Sequence, residues 1–499
     1  VRILYIDVDT LRADHTGPYG YPRKITPNLD ALSERAVVFD RCYASDSPCA
    51  PSRAAWTSVQ FGITTGAIGN FGPAADIHMF DRTKYGPYFG SHLYRNGIPT
   101  TSISCFPDRH YAYWFVGNFS AWSRPSLSGG DDEDAGDVTN AARSWLDRHA
   151  REESWLLHVH YWDPHLPYVE PSRWYDLAME SGAPPAWPDA ETIAFHNEHS
   201  YGPHTSLDLY EGDGSWSVPP PPAPNPSIMP DSITSRDDFI RFVTGYDGAV
   251  AYFDHHLGIL LDVLAANGVL DDTAVIVTSD HGECLGEDGC YGDHPMANHA
   301  SHHVPLVMTW PGLTDQLPAD GRHVDSLMYH IDLCPTICEL LGIPIPPGWE
   351  GASMAPVLRG EPSKGHDSLV LSHGAYTYQR TLVKDGLFYT RTLHPGCWSL
   401  EQERCYDIST GDTAGVHDLA PGNPSLCAGL SGELEEWRMA HATMTGEHAD
   451  PMEAARYEGP RDAFSVERYV ARLRQTGRDS LARDLEARLA SRWVASGHW

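Results

Sequence analysis

The sequence predicts an α/β fold, a mostly parallel sheet flanked by helices, with a smaller C-terminal α+β subdomain. Three observations carry this expectation. Short apolar runs rich in β-formers alternate with helical patterns, several of those runs stop at acidic residues, and after about Glu361 the pattern changes to short strands and then a charged helical tail.

The opening run RILYIDVD reads as a buried strand ending at Asp7 and Asp9. Thr26-Pro27-Asn28 then opens a helix, with proline at its first position, that continues into LDALSERAVVF. Ser154 to Trp162, SWLLHVHYW, is a second buried strand. A long amphipathic helix is expected from about Asp238 to Ala266, because Phe239, Phe242, Val243, Tyr246, Val250, Phe253, Leu257, Leu260 and Leu264 fall at helical spacing. DDTAVIVTSD feeds a strand that stops at Asp280, and Val304 to Trp310 forms another that Pro311-Gly312 ends. Cys334 and Cys338, four apart in DLCPTICELLG, read as core packing on a helix. Between residues 170 and 235 no period is sustained and a proline run spans Pro219 to Pro226. That stretch reads as an irregular insertion, either a surface excursion or a loop covering the substrate. The expected domains are therefore 1–363 and 364–499, the second holding SLVLSH, LFYTRTL and a helical tail from Ser465 to Ala495.

Apolar residues at 41% and charged residues at 20% fit an ordinary globular protein. The 35 basic and 67 acidic residues leave a net charge of −32, which argues against nucleic-acid or anionic-membrane partners. It does not exclude an anionic substrate, since a site obeys its local charges and any bound metal. Lysine is confined to Lys24, Lys84, Lys364 and Lys384. The ten cysteines show no CxxC pair, zinc spacing or disulfide framework, which favours a cytoplasmic location. Secretion stays open, because the sequence begins at Val1 directly in a strand-like segment. No run reads as long and apolar enough to span a membrane.

The chemistry centres on Cys49-Ala50-Pro51-Ser52-Arg53. A thiol just before a proline-started helix, PSRAAWTSV, with arginine one turn on, faces free N–H groups that favour anions and would acidify it. On these residues alone, a buried structural cysteine is the better reading of the segment. The segment also matches the C-x-P-S-R signature, and on it the chain resembles the type I sulfatases of the alkaline-phosphatase-like superfamily. Other segments agree in order: DVDTLRADHTGPYGY, YWDPHLPY, VIVTSDHGECLGEDG, MYHIDLCPTICELLGIPIPPGWEGASMAPVLRGE and ERCYDISTGDTAGVHDLA. The resemblance implies that a maturation enzyme oxidises Cys49 to formylglycine. One hydroxyl of its hydrate would attack sulfur, and the other would collapse to the aldehyde and release sulfate. A plain serine or cysteine has no second hydroxyl.

Asp9 and Asp280 lie at strand C-termini and His165 just past one, the edge at which open parallel sheets bind ligands. Carboxylates gathered there call for a hard divalent cation. By its matching motifs the resemblance assigns Asp9, Asp280 and His281, with modified Cys49, as ligands of one metal, calcium being the usual ion. Where many relatives carry Asp-Asp, Asp9 is followed by Thr10; Asp7, on the same side of the strand, either supplies the missing carboxylate or pairs with an arginine. His281 stands where many sulfatases have asparagine, which leans toward the phosphonate and phosphodiester hydrolases and leaves room for manganese or zinc. Two family lysines are absent. Arg109 or His110 takes the place of the first, and Asp293 stands at the second, before His294. Asp293 would orient His294, or bind a sugar hydroxyl or a cationic group. His294 or His165 would protonate the leaving alcohol, whereas the His302-His303 pair is expected to have no chemical role. The expected function is hydrolysis of a sulfate monoester, of a carbohydrate or another polyol. The alternative is phosphonate monoester or phosphodiester hydrolysis, and a non-catalytic binding protein is disfavoured because Cys49, Arg53, Asp9 and Asp280 are all present.

Overall fold

A computed structural model describes residues 1–70, 72–78, 82–126, 133–168, 170–200, 202, 204–205, 229–362, 365–396, 398–445, 450–456 and 466–496. Eight strands form the large sheet: β1 (Arg2–Val8), β2 (Val37–Phe39), β3 (Thr100–Ile103), β4 (Ala121–Ser123), β5 (Trp155–Tyr161), β6 (Thr273–Ser279), β7 (Leu306–Met308) and β8 (His323–Val324). Their order is β8-β2-β7-β6-β1-β5-β3-β4. Every pairing is parallel except those of β7, which runs antiparallel to both β2 and β6. In register, Asp7 of β1 lies between His160 of β5 and Thr278 of β6, so the ends of these three central strands share one edge.

The period-2 alternation of β1 divides the core between two faces. Ile3 and Tyr5 join one apolar cluster, with Leu156, Ile276 and Met308. Leu4, Ile6 and Val8 join another, with Leu157, Val159, Val275 and Val277. On the second face lie α1 (Pro27–Ser33), α3 (Ala135–His149) and α6 (Arg236–Ala266); α2 (Cys49–Ser58) packs on the first, its Trp56 ring 5.1 Å from Tyr5. The helix opened by Thr26-Pro27 stops at Ser33, and Val37–Phe39 of the same apolar run extends into β2. Thr26 leaves its cap role to donate to Asp30 and accept from Gly17 N–H.

Helix α6 starts with Ser235 accepting from Asp238 N–H. It corrects one expectation, being long and apolar enough by composition to cross a membrane, yet its residues from Phe239 to Leu264 form a core face. The apparent hydropathy is that of a helix packed on several sides. The 170–235 stretch is likewise less irregular than expected. It contains α4 (Ser172–Glu180) and α5 (Ala190–His199), helices too short and too exposed to show a sustained apolar stripe. The proline run from Pro219 to Pro226 lies outside the described residues.

The C-terminal sheet holds β9 (Leu369–His373), β10 (Tyr378–Lys384), β11 (Leu387–His394) and β12 (Glu403–Asp407), all antiparallel. A short strand from the N-terminal half, Asp46–Ser47, adds in parallel to β9. That strand runs directly into Cys49, so the smaller sheet helps to fix the start of α2. Helix α7 (Pro424–Thr445) covers one face of this sheet, with Leu430 and Leu434 against Val370 and Leu382. Residues 466–475 and 479–496 form two further helices, and no disulfide occurs among the described residues.

Candidate active site

Cys49 is the first residue of α2 rather than the residue before it, and it is 1% exposed. Its Sγ lies 3.2 Å from His281 Nε2 and 3.8 Å from Asn70 Nδ2, while Asn70 Oδ1 accepts the Ala50 N–H at 2.9 Å. The helix terminus alone would acidify this thiol. Instead burial pushes it well above the ordinary value, with Asp9 and Asp280 adding to the rise.

One turn on, Arg53 is buried and donates to three carboxylates: Nε to Asp7 at 3.0 Å, and Nη1 to Asp9 at 3.0 Å and Asp280 at 2.5 Å. Phe106 covers its guanidinium at 4.8 Å. Asp7 pairs with this arginine, as Asp9 and Asp280 do, and also faces His158 at 3.4 Å. Asp9 faces His160 at the same distance. Burial would lift the carboxyls of Asp7 and Asp9, but Arg53 holds both below the usual range. Asp280 goes the other way: burial raises it, and Arg53 cannot outweigh that together with Asp9 and Asp7.

The chain turns sharply after Asp9, with Thr10 in the left-handed region at φ 57°, a costly conformation for a β-branched residue. The turn brings Thr10 N–H to within 3.3 Å of Asp280 Oδ1. After β6, Ser52 Oγ donates to the Asp280 carbonyl at 2.7 Å, and His281 Nδ1 donates to the Gly282 carbonyl at 2.9 Å. The latter bond leaves the Nε2 lone pair of His281 directed at Cys49 and Asp280. Gly282 is required by contact, because a Cβ there would fall 2.0 Å from the Ala300 carbonyl oxygen.

Whether these residues fit a metal can be judged from charge and donors. One ligand atom from each of Asp9, Cys49, Asp280 and His281 lies within 4.8 Å of all the others, and Asp9 Oδ1 is buried without a hydrogen-bond partner. Three carboxylates against one guanidinium leave about two negative charges uncompensated. At this spacing each like-charge pair costs on the order of 4 kcal/mol even at an effective dielectric of about 20. A divalent cation removes that imbalance, so the residues fit one.

His294 sits against His281, ring centroids 4.1 Å apart, and between two buried carboxylates. Its Nδ1 is 3.5 Å from Glu283 and its Nε2 3.5 Å from Asp293. Burial would depress the imidazolium, but Asp293 and Glu283 prevail and hold it up at about 9. Both Asp293 oxygens are engaged, Oδ1 by the His294 N–H at 2.8 Å and Oδ2 by the Tyr376 hydroxyl at 2.9 Å. Asp293 is thereby tied to the His294 backbone and to Tyr376. His165 is the opposite case: burial lowers it to about 4, Nδ1 donates to the Leu166 carbonyl, and its ring stacks on Trp162 at 4.2 Å. Trp162 also carries Arg109, whose guanidinium lies 4.0 Å from the ring centroid. His110 is lowered to about 3, mainly by burial, with Asp9, Arg53 and His165 near enough to contribute. His302, expected to be inert, bonds Ser47 Oγ at 3.0 Å beside Pro48 and so supports the start of α2.

The sequence did not single out Asn70, His158, His160, Glu283 or Tyr376. The two histidines alternate within an apolar strand, so they read as core; Glu283 had a signal in lying two residues past His281. Asn70 and Tyr376 come from segments distant in sequence that carry no motif.

Comparison with known proteins decides the family, because the sulfatase family model matches residues 2–343. The chain belongs to the sulfatase family. The ulvan-active sulfatase of Formosa agariphila is 24% identical over 423 residues, spanning 79% of this chain and 75% of that protein. Two solved structures share the fold. One is a protein in complex with its substrate D-glucosamine-2-N,6-O-disulfate, with TM-score 0.67 and 18% identity, covering 90% of this chain and 99% of that one. The other is the phosphonate monoester hydrolase of Agrobacterium radiobacter, with TM-score 0.65 and 19% identity, covering 88% and 96%. Sulfatase membership agrees with the α/β architecture, with its largely parallel sheet and C-terminal antiparallel sheet.

Proposed function

We propose that this sulfatase hydrolyses a sulfate monoester of a carbohydrate or another polyol, with Cys49 as the precursor of its nucleophile. The observation that carries this reading is the placement of Cys49 Sγ, 3.2 Å from His281 and within the Asp9–Asp280–His281 donor group. Converted to formylglycine and hydrated, position 49 supplies two geminal hydroxyls, one to attack sulfur and one to release sulfate. A divalent ion held by Asp9, Asp280, His281 and the modified residue 49 supplies positive charge for the sulfate oxygens and for the nucleophile; calcium suits the carboxylates, and manganese or zinc the imidazole.

The remaining roles fall to the chain's own side chains. Arg53 holds Asp7, Asp9 and Asp280 in one constellation, so it acts on the carboxylates before it acts on substrate. His294, kept protonated by Asp293 and Glu283, donates the proton that the departing alkoxide needs. His165 stays neutral and accepts hydrogen bonds, so two histidines 5.7 Å apart have opposite protonation preferences, the division acid–base chemistry requires. Arg109 and the protonated His294 stand in for the two missing lysines. The exposed rings of Tyr111 and Tyr113, just after His110, offer aromatic surface on which a sugar ring packs.

His281 and the structural likeness to a phosphonate monoester hydrolase favour a second reading, with a phosphonate or phosphodiester as the better substrate. Paired assays separate the two. The proposal expects higher kcat/KM for an aryl sulfate than for the matching phosphodiester, and the reverse order would replace it with the second reading. Intact-mass measurement on protein from its native host should show the thiol of Cys49 replaced by an aldehyde; thiol alone would end the nucleophile assignment.

A further inference from the structure

On the C-terminal sheet, Gln379 and Thr381 turn toward the segment that carries His294, bonding to the Ala297 backbone. Arg380, between them on β10, points to the opposite face. There it lines a cavity of about 850 Å3 under α7, bounded also by Arg391, Arg438, Arg456, Glu435 and Glu453. A volume in the range of roughly 300–1,000 Å3 suits an organic ligand rather than a single ion.

The charges in this cavity do not cancel. Arg438 pairs with Glu435 at 2.5 Å, Arg456 with Glu453 at 2.9 Å, and Arg380 uses both terminal nitrogens on Asp450. Arg391 is left over: among the described residues it makes no carboxylate pair and donates only to Ser431 Oγ at 2.8 Å. Arg380 is 2% exposed and keeps its Nε buried without a partner. A chain of net charge −32 has here gathered four arginines in one concave site; among the described residues Arg391, with Glu403 opposite it in register, forms no ion pair, and one buried guanidinium donor is without a partner. Such a site selects an anion, and the guanidinium fork suits carboxylate or sulfate oxygens.

We propose that this cavity is a second binding site, outside the Cys49 donor group, for the carboxylate or sulfate groups of an anionic saccharide, anchored by Arg391. The saccharide as ligand rests on the sulfatase reading; the preference for an anion rests on the cavity alone.

Isothermal titration of the full chain with a heparin hexasaccharide tests it, using Cys49→Ala so that turnover does not interfere. Arg391→Gln in that background should weaken binding at least tenfold, Arg391→Lys should restore part of the loss, and raised salt should weaken the parent. Arg391→Gln in the otherwise unchanged protein should leave kcat/KM for a small aryl sulfate as it is, which shows that the fold survives. Equal affinity of parent and Arg391→Gln would overturn the site, as would absence of saccharide binding by the parent. Inorganic sulfate binding as tightly as the hexasaccharide, through Arg391, would overturn the saccharide as ligand. Failure of the aryl sulfate assay in the parent instead strikes the proposed reaction, so the two failures are distinguishable.

Discussion

Arg53 donates to three carboxylates, and the balance fails at Asp280, whose carboxyl burial and its acidic neighbours raise. Replacing Asp280 with Asn should therefore act in opposite directions on stability and on function. Without metal, at a pH where Asp280 is ionised, it removes like-charge repulsion of roughly 4 kcal/mol and gives up a charged hydrogen bond of about 1.5–3 kcal/mol, for a net gain of about 1–2.5 kcal/mol. Calorimetry in chelator should show a higher Tm for Asp280→Asn than for the parent. Calcium should then raise the Tm of the parent by the linkage term, about 2.7 kcal/mol at a hundredfold excess over Kd, and raise the variant's far less. A variant that is less stable in chelator, or that gains as much from calcium as the parent, contradicts this account. At this scale the sequence was legible wherever one short motif held both a residue and its neighbours: Cys49 with Arg53, Asp280 with His281, Asp293 with His294. It was not legible where charge is balanced across distant segments. That Asp7 serves Arg53, and that Tyr376 holds Asp293, depend on how two sheets meet.

Helix α6 carries the connection between the core and the loop that follows β1. Asp247, buried near its middle, accepts from Tyr21 at 2.6 Å and Arg23 at 2.7 Å on one oxygen and meets His15 at 2.7 Å on the other. Tyr246, its neighbour, donates to the Thr10 carbonyl at 2.8 Å and accepts the Arg12 N–H at 2.8 Å. The helix thereby fixes the turn next to Asp9. Asp247→Ala leaves Arg23 buried with one partner fewer, and breaking a buried pair in this way costs about 3–5 kcal/mol. Urea unfolding should report that loss. Unchanged stability would show the cluster to be incidental; calcium titration of Tyr246→Phe, which loses the hydroxyl bonded to Thr10 and Arg12, should show weaker binding. The apolar stripe of α6 was readable in sequence because its period is 3.6 over many turns, whereas Asp247 within it gave no sign of a partner more than 220 residues away. Helices α4 and α5 were not readable, being short and mostly exposed, so that caps and tertiary contacts rather than periodicity define them. The run LDALSERAVVF splits into a helix and β2 because the β-branched pair Val37-Val38 finds strand partners in β7 and β8.

Across the whole molecule, two populations of buried titratable groups set how stability responds to pH. Histidines such as His302 and His330 are lowered to about 4, mainly by burial, and stay neutral in the fold. Their folded pKa lies below the unfolded value of about 6.5. The stability they contribute is thus fully present above that value and is lost as pH falls through it toward 4. Carboxyls such as Asp46 and Glu350 are raised to about 7, again chiefly by burial. Their folded pKa exceeds the unfolded one, so their contribution is complete only at low pH and is lost as pH rises through 7. Each group mismatched by one proton changes stability by about 1.36 kcal/mol per pH unit within its window. Between about pH 4 and 7 the carboxyls oppose the histidines; above pH 7 neither population contributes a slope, and the growing self-repulsion of a chain already at −32 acts to destabilise. Toward pH 4 the neutral histidines dominate, because they outnumber the raised carboxyls among the described groups. Thermal unfolding of the metal-free protein across pH 4 to 9 should therefore give a maximum near pH 6.5, with the acid limb the steeper. Glu350→Gln removes one raised carboxyl that accepts from Phe61 N–H and Thr64, and should steepen the rise in stability between about pH 4 and 7 by up to one proton's worth of slope. An unchanged slope between pH 4 and 7 in Glu350→Gln would mean that this carboxyl ionises in the fold without cost.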